Sequence, residues 1–221
     1  MSEVARRLGE IRARVAAACG RAGRPVESVT LVAVSKLKPA ALIREAYEAG
    51  QRDFGENYAQ ELRDKAAELA GLEGLRWHAI GPLQTNKVKY VARAAHAFHA
   101  LDRMDVAREL SKRRAEALLP CYVEVNLGGE QSKSGLAPEG LAAFLDEART
   151  LPGLKVEGLM ALPPPTEDLE QARGYFRHLR ELARAQGLTG LSMGTTHDFE
   201  LAIEEGATLV RVGTAIFGER S

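Results

Sequence analysis

Lys36 closes the apolar run TLVAVSK (residues 30–36), and its type and place are those of an amine nucleophile. At the end of a buried strand the side chain loses hydration, which favours the neutral amine and suits it to a Schiff base with a carbonyl. The same lysine could snorkel to solvent or pair with an acid, and residue type alone leaves these readings open. Near the other end of the chain, SMGTT (192–196) and RVGT (211–214) each set glycine beside hydroxyls. Backbone can approach an anion closely at Gly194 and Gly213, and Ser192, Thr195, Thr196 and Thr214 supply hydroxyl donors for phosphate. Turn glycines with a helix N-cap at Thr196 would produce the same pattern. Arg211 interrupts an otherwise apolar strand, and a buried guanidinium requires a partner, either a carboxylate or a ligand acceptor. Asn57 opens the helix after DFGE as an N-cap candidate, and a ligand contact would be an added role. Lys133 lies in the polar loop GGEQSKSG (128–135), as a solvated lysine or a second amine. His78, His96, His99, His178 and His197 show no metal-ligand spacing such as HExxH, so no metal is expected. His78 and His99 fall in strands and read as core residues, while Met160 and Met193 could wall a flat ring.

These residues sit at the ends of short apolar runs that alternate with charged, helix-favouring stretches. The expected strands are TLVAVSK (30–36), RDFGE (52–56), RWHAIG (76–81), AFHALD (97–102), CYVEVNL (121–127), KVEGLMA (155–161), GLSMG (190–194) and TLVRVG (208–213). Eight strands in 221 residues leave about 28 residues per unit, enough for a strand, a helix and two tight loops. Strict alternation implies a parallel sheet, and eight repeats predict closure into a (β/α)8 TIM barrel filling residues 1–221 as a single domain. An open doubly wound sheet is the rival, but no GxGxxG follows the first strand. Val4, Leu8, Ile11, Val15 and Cys19 stripe one face of an extra N-terminal helix. Pro163, Pro164 and Pro165 cannot continue a strand and open a loop after the sixth. In such a barrel, functional groups gather at the C-terminal ends of the strands, where phosphate commonly binds after strands seven and eight.

Composition narrows the partners. Thirty Lys plus Arg balance thirty Asp plus Glu, so no bulk positive field exists to hold nucleic acid or an anionic membrane. Two cysteines, Cys19 and Cys121, cannot make a disulfide framework or a cysteine zinc site, which fits a reducing cytosol. No signal peptide and no apolar run of about 18 residues is found, so a cytoplasmic protein that does not span a membrane is expected.

The segments AVSKLKP, DFGENYAQE, WHAIGPLQTNK, VEVNLGGEQSKSG, GLMALPP, LSMGTTHDFELAI and VRVGTAIFG resemble, in this order, the pyridoxal 5′-phosphate homeostasis protein family. The resemblance runs from about residue 30 to residue 218, and the family is similar to the N-terminal domain of alanine racemases. It implies pyridoxal 5′-phosphate (PLP) held as a Schiff base on Lys36, with the phosphate among Ser192, Gly194, Thr196, Gly213 and Thr214. Arg211 would face the pyridine nitrogen or help hold the cofactor, and Asn57 matches a polar residue near the ring. One departure stands out: SMGTT replaces the usual SMGMS, so that Thr195 takes a methionine's place while Thr196 keeps a hydroxyl.

The resemblance also bears on reaction. Alanine racemases need a second domain and a tyrosine from a partner subunit, and the chain stops at Ser221, so two-base racemisation is not expected. An arginine at the pyridine nitrogen would weaken the ring as an electron sink. The expected role is therefore buffering of PLP and its delivery to apo PLP-dependent enzymes by a monomer. The alternative is a PLP-dependent amino-acid racemase or lyase, and a third reading is a barrel that uses Lys36 on a phosphorylated aldehyde without PLP.

Overall fold

All eight apolar runs form strands in the computed structural model, which describes residues 2–114, 117–129 and 134–219. They are β1 (Thr30–Val34), β2 (Asp53–Glu56), β3 (Arg76–Ala79), β4 (Ala97–Leu101), β5 (Leu119–Glu124), β6 (Leu154–Met160), β7 (Gly190–Ser192) and β8 (Leu209–Val212). Every neighbouring pair is parallel, and the pairing of Thr30 with Leu209 and Val32 with Arg211 closes the barrel between β1 and β8. The strands stop short of the predicted C-terminal ends. Ser35–Lys36, Ile80–Gly81, Met193–Gly194 and Gly213 leave the regular ladder and build the mouth.

The alternation of side chains along each strand sorts them into two layers. Inward positions share the barrel interior: a Cβ at Gly55 would meet Val32 and Ile80 at 3.0 Å and Val34 at 3.5 Å. Outward positions pack beneath the helices, where Phe54 meets Trp77 at 6.0 Å between ring centroids and Phe98, Phe176 and Phe199 are wholly buried. This outer layer is the main hydrophobic core, and the interior is filled partly by polar groups.

The helices that follow the strands are α2 (Ala40–Glu48), α3 (Ala59–Glu68), α4 (Val88–Ala94), α5 (Met104–Arg113), α6 (Leu141–Ala148), α7 (Leu169–Ala185), α8 (Phe199–Glu204) and α9 (Thr214–Phe217). Ahead of them, α1 (Glu3–Arg21) starts at Ser2, whose hydroxyl accepts from the Ala5 N–H. Its expected stripe is buried, along with Ala18, against α8, α9 and α2. Both cysteines are buried and free. No described helix is long and apolar enough to cross a membrane.

Two expected helix caps differ. Asn57 lies two residues before α3, whose cap position is Tyr58 without a side-chain bond, because Asn57 is held instead against the β3 loop. There a Cβ on Gly81 would come within 2.4 Å of the Asn57 carbonyl, so only glycine allows the approach. Thr196 does not cap α8 either; Asp198 precedes that helix and accepts from both the N–H and the hydroxyl of Thr195, at 2.6 Å and 3.0 Å.

Candidate functional site

A cavity of about 290 Å³ opens at the C-terminal mouth, near the lower end of small-molecule sites at roughly 300 Å³. Six of the eight residues expected to hold a cofactor line it: Lys36, Asn57, Thr196, Arg211, Gly213 and Thr214. Val32 and Val34 face the interior, and the turn that follows β1 carries Lys36 onto the cavity wall. Met160 supplies a wall as expected, whereas Met193 is fully buried and does not line the cavity. Lys133 lies outside the described residues.

Lys36 sits in a turn rather than in the strand. Lys38 N–H donates to the Ser35 carbonyl at 3.0 Å, and Leu37 takes a left-handed φ of 59°, a conformation costing about 1–2 kcal/mol for a residue with a Cβ. A buried polar cluster holds the turn from behind. The Ser35 hydroxyl donates to Glu56 Oε1 at 2.6 Å, the Leu37 N–H donates to Glu61 Oε1 at 2.6 Å, and Lys65 Nζ donates to Glu56, Glu61 and the Ser35 carbonyl at 2.7–2.8 Å. Burial pushes the Glu56 carboxyl up to about 7, against the pull of Lys65 and Ser35.

Ser192 and Gly194 stand behind the cavity. The Ser192 hydroxyl is wholly buried between His99 Nδ1 at 2.7 Å and Arg211 Nη1 at 2.6 Å, so its contact is with the arginine. Gly194 has φ 91°, and a Cβ there would lie 2.6 Å from that of Ala202 and 2.9 Å from Phe199 Cα. It lets the Thr195–Thr196 backbone pass tightly over α8. Gly194→Ala therefore costs about 1–3 kcal/mol and displaces that loop. Urea unfolding together with cofactor affinity checks this, and unchanged values in both would refute it.

Arg211 also donates to the Ala161 carbonyl at 3.0 Å. Burial pulls its guanidinium down to about 10, which leaves it charged at neutral pH. Opposite it on β5, Glu124 lines the cavity at 7% exposure. Its Oε1 accepts from the Ser134 hydroxyl at 3.0 Å, while Oε2 has no hydrogen-bond partner among the described residues. Burial raises this carboxyl, with Asp102 adding to the effect against Ser134 and Arg211. Glu124 was missed in the sequence, although an acid inside CYVEV carries the same signal as Arg211 inside LVRV. His197, Ile80 and Pro82 also line the cavity without a sequence signal.

A wider groove of about 690 Å³ adjoins the cavity and shares Leu162, Thr195 and His197 with it. Pro163, Pro164, Leu169 and Phe176 make it mostly apolar, and neither Lys36 nor Arg211 reaches it. The smaller cavity is where an amine, a cation, a carboxyl oxygen without a partner among the described residues and a glycine–hydroxyl corner converge. That donor set suits a carbonyl compound bearing an anionic group.

Comparison with known proteins agrees with that chemistry. The sequence profile of the alanine racemase N-terminal domain matches residues 7–221. The chain is 49% identical to the pyridoxal phosphate homeostasis protein of Pseudomonas aeruginosa, covering 100% of this chain and 97% of that protein. It is 46% identical to the protein of the same name from Aquifex aeolicus, with 97% of each covered. Among solved structures, PipY of Synechococcus elongatus with PLP bound superposes with a TM-score of 0.85 at 37% identity, covering 97% of this chain and 100% of that one. An alanine racemase from E. faecalis, at 16% identity and a TM-score of 0.71, shares the fold over 99% of this chain and 59% of its own.

Proposed function

Since the chain belongs to the pyridoxal phosphate homeostasis protein family, built on the alanine racemase N-terminal domain, we propose that it binds PLP through Lys36 and serves intracellular PLP homeostasis by buffering and delivery. The observation that carries the reading is the convergence of Lys36, Arg211, Thr196, Gly213 and Thr214 on one cavity. When bound, PLP supplies an aldehyde that condenses reversibly with an amine, together with a phosphate that needs donors. Lys36 provides the amine, and the turn clamped by Glu56, Glu61 and Lys65 holds it at the mouth. Thr196, Gly213 and Thr214 receive the phosphate, with Gly194 shaping their corner from behind. Asn57 and Met160 flank the ring.

Arg211 weighs against strong electron-sink chemistry. A fixed guanidinium in the cavity wall would oppose a second positive charge on a ring held beside it, which would disfavour protonation of the ring nitrogen. The reading extends to a cytoplasmic monomer, to residues 1–221 as a single domain, and to apo PLP-dependent enzymes as transient partners.

Incubation with PLP is expected to produce a visible absorption band that borohydride abolishes, with the reduced adduct mapping by peptide analysis to Lys36. An adduct mapping to Lys38, or no band at all, would overturn the assignment. Exchange of amino-acid α-hydrogens in deuterated water that depended on Lys36 would instead establish the racemase or lyase reading.

A further inference from the structure

The interior of the barrel carries an unbroken line of polar side chains from one mouth to the other. At the N-terminal ends of the strands, Asp53 and His78 border a second cavity of about 370 Å³, and Arg76 donates to both carboxylate oxygens of Asp53. His78 Nε2 lies 2.9 Å from Asp53 Oδ1, and His78 Nδ1 lies 2.9 Å from His99 Nε2. The line continues from His99 Nδ1 to Ser192 and from Ser192 to Arg211 on the cofactor cavity. Asp53, His78, His99, Ser192 and Arg211 are all buried.

The direction of these bonds follows from which groups can only donate and which can only accept. Burial opposes the Asp53 charge, but Arg76 and His78 overcome it and hold the carboxyl at about 2, so Asp53 only accepts. A neutral His78 then donates from Nε2 to that carboxylate, which leaves its Nδ1 as the acceptor for His99. His99 must donate from Nε2 in turn, and burial, with His78 and Arg211 nearby, keeps His99 from taking a second proton. Its Nδ1 accepts the Ser192 hydroxyl. Arg211 has no acceptor, so the serine lone pair that remains receives the Arg211 N–H. Three hydrogens, one on Ser192 and one on each neutral imidazole, satisfy three bonds in a single arrangement.

We propose that Asp53 is a positioning residue for Arg211, acting across the barrel through His78, His99 and Ser192 to hold the guanidinium in place at the cofactor cavity. No group in the line other than Arg211 lines that cavity. This inference rests on the PLP reading for its effect on cofactor, but not for its hydrogen-bond arrangement. A carboxylate at the far mouth thus determines which way a serine hydroxyl points beside the cofactor.

The test begins with ¹⁵N NMR of the protein without PLP. Both His78 and His99 are expected as the Nε2–H tautomer with an unprotonated Nδ1, and Nδ1–H at either one overturns the proposal. Asp53→Ala is expected to mix the tautomers and to free rotation at the Arg211 guanidinium, read from its own nitrogen resonances. In the loaded protein the same substitution raises the PLP release rate about fivefold or more, the size of a modest coupling. Arg76→Gln removes the same ion pair yet leaves the carboxylate on His78, so it leaves the tautomers, the guanidinium and the release rate unchanged. Equal effects from the two variants would mean local damage at the far mouth and overturn the proposal. If Asp53→Ala fails to fold, Ser192→Ala cuts the line at its other end; it is expected to free Arg211 while His78 keeps Nε2–H, and an Arg211 unaffected by it overturns the proposal. Because the histidine and arginine readouts need no PLP, a protein that failed to bind PLP would refute the function without deciding this inference, which those readouts decide.

Discussion

Lys36→Ala is expected to abolish the borohydride-reducible adduct and to weaken PLP binding by at least about a hundredfold, equivalent to about 2.8 kcal/mol at 1.4 kcal/mol per factor of ten. Thr196, Gly213, Thr214 and Arg211, which line the cavity, could offer the cofactor only hydrogen bonds and charge interactions, which would not replace a covalent bond. The chain carries seven other lysines, and a reducible adduct is by itself weak evidence because PLP condenses with any accessible amine. What marks Lys36 is its place on the cavity wall beside the glycine–hydroxyl corner. Absorption titration and mass mapping after reduction check the result. A Lys36→Ala protein that kept a saturable, reducible adduct of wild-type affinity would remove the functional reading at its centre.

The second large effect falls on a residue that touches no ligand. Lys65→Met removes the cation from a cluster in which Glu56 is 1% exposed, and breaking a buried ion pair from one side costs about 3–5 kcal/mol. The cost depends on pH. Burial pushes the Glu56 carboxyl from its ordinary 4.5 up to about 7, so the native state holds its proton more tightly than the unfolded chain. Its contribution to stability is fully present below 4.5 and is lost as pH rises to about 7. Without Lys65 the carboxyl stays protonated to higher pH, and the loss continues beyond the wild-type range. Lys65→Met is therefore mild at about pH 5.5 and large at about pH 8 in urea unfolding. Equal destabilisation at both pH values would show that Glu56 is not the group left stranded. Because the cluster also grips Ser35 and Leu37, PLP affinity falls with stability at the higher pH.

Much of this architecture is legible in the chain because its signals are local. An apolar run of five to seven residues followed by a charged amphipathic stretch dictates strand and helix wherever it occurs, and eight repeats leave little choice but a closed parallel barrel. The same reasoning places Lys36, Gly213 and Thr214 at strand ends, where a barrel gathers its functional groups. The seven linked segments add the cofactor class. Strand ends were overestimated because Ile80, Met193 and Gly194 are as apolar or small as the strands they follow, and only the demands of the mouth pull them out of the ladder.

Other assignments depend on partners distant in sequence. Ser192 reads as a phosphate donor beside Gly194, but in the barrel its hydroxyl is enclosed by His99, 93 positions away, and by Arg211. Glu56 reads as one more acid at a strand end until β1 and α3 close around it. Glu124 has its carboxyl raised, and Oε2 left without a partner among the described residues, only when burial strips its water. Sequence by itself determined the periodicity, the fold and the amine at the strand end, since each follows from backbone propensity and from side-chain polarity along a few consecutive residues. Tertiary structure alone decided which polar groups face the cavity and which face each other, because hydrogen-bond direction and desolvation are set by neighbours that the chain brings together only on closing the barrel.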